Sequence, residues 1–98
     1  YSLAKNSLIN YCKEKSKNFA SKNIFINSIS PGHIMQTNNL WHKKLKKNKS
    51  KTLSFIKKNV ALKKFCTIDD IIYTLHFLIS ENNSYITGID IKVDGSSD

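Results

Sequence analysis

Residues 66–95 read CTIDDIIYTLHFLISENNSYITGIDIKVDG, and their two periodicities decide the fold. Ile68, Ile71, Ile72, Leu75, Leu78 and Ile79 recur at helical spacing and predict one apolar helix face. Thr67 supplies an N-cap, and Asp70 three residues on completes a capping-box-like pair. Asp69 and Asp70 also suit the positive end of the helix dipole. After the ENNSYITG stop, the period drops to two. Ile89, Ile91 and Val93 point one way, Asp90 and Lys92 the other, and Asp94-Gly95 ends the strand.

Working outward, residues 23–30 read NIFINSIS, too short for a helix and rich in strand formers. Ile24, Phe25, Ile26 and Ile29 predict a strand buried on both faces, as in a parallel sheet, with Pro31-Gly32 as its stop. Residues 2–21 predict a helix whose stripe runs through Ala4, Leu8, Tyr11, Cys12 and Phe19. Residues 33–60 are the least regular, and their lysine-dense run predicts a short helix flanked by loop.

The order is helix, strand, loop, helix, strand. A strand, a crossover helix and a second strand make a right-handed βαβ unit with parallel strands. Two parallel strands form an inadequate sheet, and the first should have another neighbour. Its edge near Ile24 is otherwise unpaired. Together with the absence of an initiating methionine, this predicts the back end of a larger α/β domain.

Composition narrows the classes. The 98 residues suit one domain, and no linker or internal repeat divides them. The formal charge of +9 comes entirely from lysine, for the chain has no arginine. Nucleic-acid surfaces draw on the planar arginine fork, so the excess reads as solvated lysine rather than as a nucleic-acid site. A small basic nucleic-acid-binding protein is the rival reading, which a salt-dependent gel shift tests. Cys12 and Cys66 are far apart and lack metal-ligand spacing, which predicts two reduced, partly buried thiols. No membrane-length apolar run or signal peptide is visible, which predicts a cytoplasmic protein with no membrane partner.

Four landmarks resemble the C-terminal part of a short-chain dehydrogenase/reductase, beginning at that family's Tyr-x-x-x-Lys motif. They are Tyr1-Ser2-Leu3-Ala4-Lys5, INSISPGHI at 26–34, the helix with its Ser-x-x-x-x-Tyr-Ile-Thr-Gly turn, and the Val-Asp-Gly strand end. The resemblance spans essentially the whole chain, residues 1–98 being the C-terminal part of a single domain. It implies a Rossmann-like, doubly wound sheet of seven parallel strands, of which these would be the last two. The N-terminal half, with the glycine-rich phosphate loop, the catalytic serine and the relay asparagine, would precede Tyr1.

The resemblance implies hydride transfer between NAD or NADP and a small carbonyl or alcohol substrate. Carbonyl reduction needs a proton donor beside the oxygen that gains charge, and alcohol oxidation needs a base. Free tyrosine ionises near about pH 10, and an ammonium one helical turn away favours the phenolate. Residues at i and i+4 share a helix face. Tyr1 is thus the expected general acid/base, with Lys5 assisting it and, by resemblance, holding the cofactor ribose.

By the same resemblance Pro31, Gly32 and Ile34 lie against the nicotinamide. The family's threonine usually stands five residues past the proline. Gln36 stands there in this chain, and Thr37, one later, is the candidate. His33, Met35, Asn38, Leu40 and Trp41 fall in the variable substrate-covering segment, Trp41 as pocket wall or as core. His42 reads as solvated and His76 as structural. The lysines of 43–51 read as solvated, or as attracting an anionic substrate such as an acyl-carrier protein, a coenzyme A thioester or a nucleotide sugar.

The complete protein is expected to be a homodimer or homotetramer. The 98 residues alone are expected to bind cofactor poorly and catalyse nothing. A catalytically dead relic that survives as an oligomerisation segment is the other alternative.

Overall fold

In a computed structural model that describes residues 1–97, the chain folds as two compact units. The first comprises residues 1–29 and 74–91, the second residues 30–73 and 92–97. Helices α1 (Ser2–Phe19), α2 (Leu40–Lys47), α3 (Lys49–Asn59) and α4 (Ile68–Ile79) accompany strands β1 (Ser28–Pro31) and β2 (Asp90–Val93). The strands form a two-stranded sheet. Ser28 N–H donates to Ile89 C=O and Gly32 N–H to Val93 C=O, each at 2.9 Å. Both partners advance together by four residues, which is parallel register. This is the expected α/β arrangement.

In the first unit, α1 ends in a 3-10 turn, Ala20–Lys22, and the chain reverses at Asn23 in the left-handed region (φ 58°). Asparagine tolerates that conformation better than most side chains. The following segment begins its ladder later than expected, at Ser28 rather than near Ile24. Its first bonds go largely to side chains. Ile26 N–H donates to Thr87 Oγ1 at 3.0 Å, and Asn27 Nδ2 donates to Ile86 C=O at 3.1 Å. β1 is not sealed on both faces either, since only Ser30 within it is buried.

The α1 stripe also differs from the periodicity reading. Leu8 and Tyr11 are exposed, whereas Ser16 is buried at 3% exposure, with Cys12 and Phe19 half-buried beside it. Gly88 is the reason. At φ +80°, a Cβ built on it would strike the Ser16 hydroxyl. A small side chain therefore meets a residue with none, and the helix lies close to the turn. That turn is braced by buried Asn83, whose Nδ2 donates to Leu78 C=O and Ile86 C=O at 3.0 Å each. Its Oδ1 accepts from Ile86 N–H at 2.9 Å. The Asn-x-x-Ile-Thr-Gly stretch is thus a hydrogen-bonded corner rather than a simple stop.

In the second unit, residues 33–60 hold two helices where one short helix was expected. Asn39 caps α2, its Oδ1 accepting from His42 N–H at 2.9 Å, and Asn48 caps α3 by accepting from Lys51 N–H at 3.0 Å. Asparagine is among the strongest N-caps. Within a lysine run, the helix starts are set by these caps and not by apolar period. Ile56 and Val60 form the buried core of this unit, at 2% and 3% exposure. Gly95, at φ +62°, lies under Val60, where a Cβ would come within 3.1 Å of Val60 Cγ1. Residue 66 bridges in parallel to Ile34, and Val60 bridges to Ser97 in antiparallel sense.

The Thr67–Asp70 capping box is present. Thr67 N–H donates to Asp70 Oδ2 at 2.9 Å, and Asp70 N–H returns to Thr67 Oγ1 at 3.2 Å. Of the predicted α4 face, only Leu78 is buried, while Ile68, Ile72, Leu75 and Ile79 remain exposed.

Candidate functional site

Tyr1 stands at the N-cap position of α1, and its C=O accepts from Lys5 N–H at 3.0 Å. This bond closes the first helical turn and fixes the two residues one turn apart on one face. Both side chains are exposed, and Tyr1 makes no side-chain capping bond.

The remaining candidates belong to the second unit. Pro31 closes β1 and is exposed. Gly32 could not be another residue without a shift of backbone, because its Cβ would lie 2.7 Å from Asp94 Cα. This close approach, made at the C-terminal ends of both strands, is the physical reason for a glycine at 32. Ile34 is held by its carbonyl, which accepts from Asn39 Nδ2 at 2.7 Å, so the α2 cap also anchors the loop. Met35 N–H donates to Cys66 C=O at 3.0 Å, and Cys66 N–H donates to His33 C=O at 2.9 Å.

His33 and Trp41 are brought together, their ring centroids 4.8 Å apart and edge-to-face. Phe55 completes the cluster, 5.7 Å from His33 and stacked on Trp41 at 5.4 Å with 28° between planes. Phe65 meets Trp41 edge-on at 5.7 Å. Trp41 therefore packs among aromatic rings. Leu40 and Thr37 do not join this cluster; both are exposed, Leu40 at 63%. Asn38 N–H donates to His42 Nδ1 at 2.9 Å, so His42 is engaged rather than simply solvated.

Sequence reasoning missed Phe55, Phe65 and Asn39. The signal for Asn39 was present, since an asparagine before an apolar residue is a helix start. Phe55 was not visible because its helix was not expected.

A cavity of about 350 Å³ opens beside this cluster, lined by His33, Phe65, Cys66, Asp70, Tyr73 and Asp94 among others. Burial pushes the Cys66 thiol up from its ordinary value, and the nearby Asp70 charge adds to this, while a hydrogen bond from the Gly32 backbone opposes it. Cys66 is accordingly a weak nucleophile at neutral pH. Asp70 is held below the usual carboxylate range, first by the Thr67 backbone N–H, then by the Thr67 hydroxyl, with Lys64 adding a smaller pull. Both cysteines are free and half-buried. Among the described residues no cluster has the makings of a metal site, and no helix is long and apolar enough to cross a membrane.

The donor set fits a nicotinamide group. Its carboxamide both donates and accepts, and the Ile34 carbonyl keeps a second lone pair after the Asn39 bond.

Known proteins give the same frame. A family model described as Enoyl-(Acyl carrier protein) reductase matches residues 1–96. The chain is 39% identical over 97 residues to the 3-oxoacyl-[acyl-carrier-protein] reductase FabG of Buchnera aphidicola subsp. Baizongia pistaciae, covering 97% of this chain and 36% of that protein. It is 32% identical over 95 residues to glucose 1-dehydrogenase 2 of Bacillus subtilis, covering 97% and 35% respectively. Among solved structures, 4-hydroxyisoleucine dehydrogenase complexed with NADH superposes with a TM-score of 0.83 at 34% identity, over 98% of this chain and 38% of that one. The NADPH dependent reductase YwfH, involved in bacilysin biosynthesis, gives 0.85 at 31% identity, over 99% and 39%. The chain spans little more than a third of the length of these relatives. Matched from Tyr1 to Ser96 by that family model and carrying the landmarks in order, the chain belongs to the short-chain dehydrogenase/reductase family.

Proposed function

We propose that this chain is the catalytic-tyrosine portion of an oxidoreductase that moves hydride between NAD or NADP and a small carbonyl or alcohol. The observation that carries this reading is the Tyr1–Lys5 pair. The two are locked one turn apart by the Tyr1 C=O to Lys5 N–H bond, in a chain that a family model matches from Tyr1 onward.

The nicotinamide, when bound, supplies or accepts the hydride. Tyr1 hydroxyl donates the proton that the carbonyl oxygen takes up as its carbon gains hydride, and in the reverse direction the phenolate removes it. The Lys5 ammonium lies on the same helix face and favours the phenolate left after donation. Pro31, Gly32, Ile34 and Thr37 would hold the nicotinamide end, and Tyr1 and Lys5 the ribose. His33, Met35, Leu40 and Trp41 would line the substrate side, and the His33–Trp41–Phe55 cluster supplies an apolar wall there.

The phosphate-binding and relay residues lie in the part of the relatives that this chain does not span, so the 98 residues alone bind cofactor poorly and do not turn over. The complete protein acts in the cytoplasm, as a homodimer or homotetramer, without nucleic acid or membrane. The exposed Leu3, Leu8 and Tyr11 of α1 and Ile72, Leu75 and Ile79 of α4 support burial against further protein.

The test is Tyr1→Phe in the complete enzyme. Turnover should fall by several orders of magnitude, while circular dichroism stays unchanged. Turnover near the unsubstituted rate would sink the assignment.

A further inference from the structure

The lysine-dense α2–α3 hairpin is more than a solvated surface. Between Glu14 and Asp69 the sequence contains no acidic residue. Within that interval, Trp41, Lys44, Lys47, Asn48, Lys51 and Phe55 line a groove of about 430 Å³ on the hairpin, together with Thr52. Its floor is aromatic, with Trp41 and Phe55 stacked at 5.4 Å. Phe55 is 43% exposed. The rim is cationic, and Lys44 Nζ sits 4.6 Å from the Trp41 ring centroid.

The geometry is fixed rather than fluid. Buried Thr52 donates its hydroxyl across the helix junction to Lys44 C=O at 3.0 Å. Asn48 ends α2 through its N–H to Lys44 C=O and begins α3 through its Oδ1 from Lys51 N–H, at 3.0 Å each. These bonds hold Lys44, Lys47 and Lys51 around one concavity, and no carboxylate lines it. Three lysines and no acidic residue line the concavity, so its charge attracts an anion. A dianion with several acceptor oxygens matches three separate donors better than one carboxylate does. The exposed part of Phe55 favours a flat apolar group next to that charge.

We infer that this groove binds a phosphate monoester carried on a flat apolar group, with Lys44, Lys47 and Lys51 around the phosphate and Phe55, beside Trp41, against the ring. The groove shares Trp41 and Phe55 with the proposed substrate wall, but its lysines are separate and binding there is measured without turnover. Trp41 is the only tryptophan in the 98 residues, so its fluorescence reports occupancy directly.

The experiment titrates the chain with phenyl phosphate, with inorganic phosphate, phenol and benzoate as single-feature probes. Phenyl phosphate should change Trp41 fluorescence saturably and bind roughly tenfold or more tightly than any of the three. Lys47→Gln or Lys51→Gln should each weaken it by about tenfold, the loss of one charge-assisted contact. Lys57→Gln and Lys58→Gln, on α3 but outside the groove lining, should leave it unchanged. Benzoate binding as tightly as phenyl phosphate would overturn the phosphate assignment. An equal loss in the Lys57 and Lys58 variants would reduce the groove to diffuse lysine charge and overturn the site, as would an unsaturable response.

Discussion

Helices α1 and α3 invert the usual relation between length and burial. α1 has 18 residues and buries only Ser16, whereas α3 has 11 and buries Thr52 and Ile56. Both are rich in lysine. What separates them is how each meets its surroundings. α3 is capped at Asn48 and tied by Thr52, and it drives Ile56 into a core that Val60 continues. α1 has no side-chain cap and no acidic residue in its first turn. It is seated instead by one small-residue contact, Ser16 on Gly88. One helix is held by apolar volume and the other by the absence of volume, so they should fail differently.

The largest effect is expected at the apolar anchor. Ile56→Ala removes most of a side chain that is 2% exposed and should cost about 2–5 kcal/mol. Urea denaturation followed by circular dichroism measures it, and a loss below about 1 kcal/mol would show that the site collapses around the cavity.

Gly88→Ala tests the other mode. The new methyl group would meet Ser16 on a backbone at φ +80°, and about 1–3 kcal/mol of destabilisation is expected. Ser16→Gly in the same background should restore part of this by removing the clash, while the backbone strain remains. Rescue by neither Ser16→Gly nor Ser16→Ala would show that the close approach is not what seats α1.

The pH dependence of the α4 start is smaller. Asp70 is held below its ordinary range in the fold, so its unfolded form binds protons more readily. Its contribution is present above the unfolded carboxylate value and is lost as pH falls through the folded one. Acid should therefore loosen the first turn of α4, and Thr67→Ala, which removes the hydroxyl but keeps the backbone N–H bond, should flatten that dependence in part. Amide exchange around Asp69–Ile71 is the readout, and identical profiles with and without Thr67 would refute it.

The smallest effect separates pattern from packing. Leu8 lies on the apolar stripe that periodicity predicts for α1, yet it is exposed. Leu8→Ala should change the stability of this chain by no more than about 0.5 kcal/mol. A larger loss in the complete protein than in the 98-residue chain would show that further protein covers this face.

Much of the architecture was legible because it rests on local chemistry. The Thr67–Asp70 box, the period-two strand ending at Val93 and the helical start at Tyr1–Lys5 each need only neighbours in sequence. Hence the α/β order, the parallel pair and the family frame followed from the residues and motifs. The α2–α3 hairpin was not legible, because among lysines its starts depend on Asn39 and Asn48, whose caps compete with ordinary asparagine turns. For the same reason His33 and Trp41 were named as candidates while Phe55, which joins them, was missed.

Sequence by itself determined which residue types were available for chemistry and where helices and strands take turns, since backbone propensity and side-chain period act over a few residues. Tertiary structure alone decided which faces are used. Ser16 rather than Leu8 is buried, Gly32 must lack a side chain beside Asp94, and Trp41 meets Phe55 across a helix junction. These are contacts between residues distant in the chain, set by excluded volume and by where buried polar groups find partners.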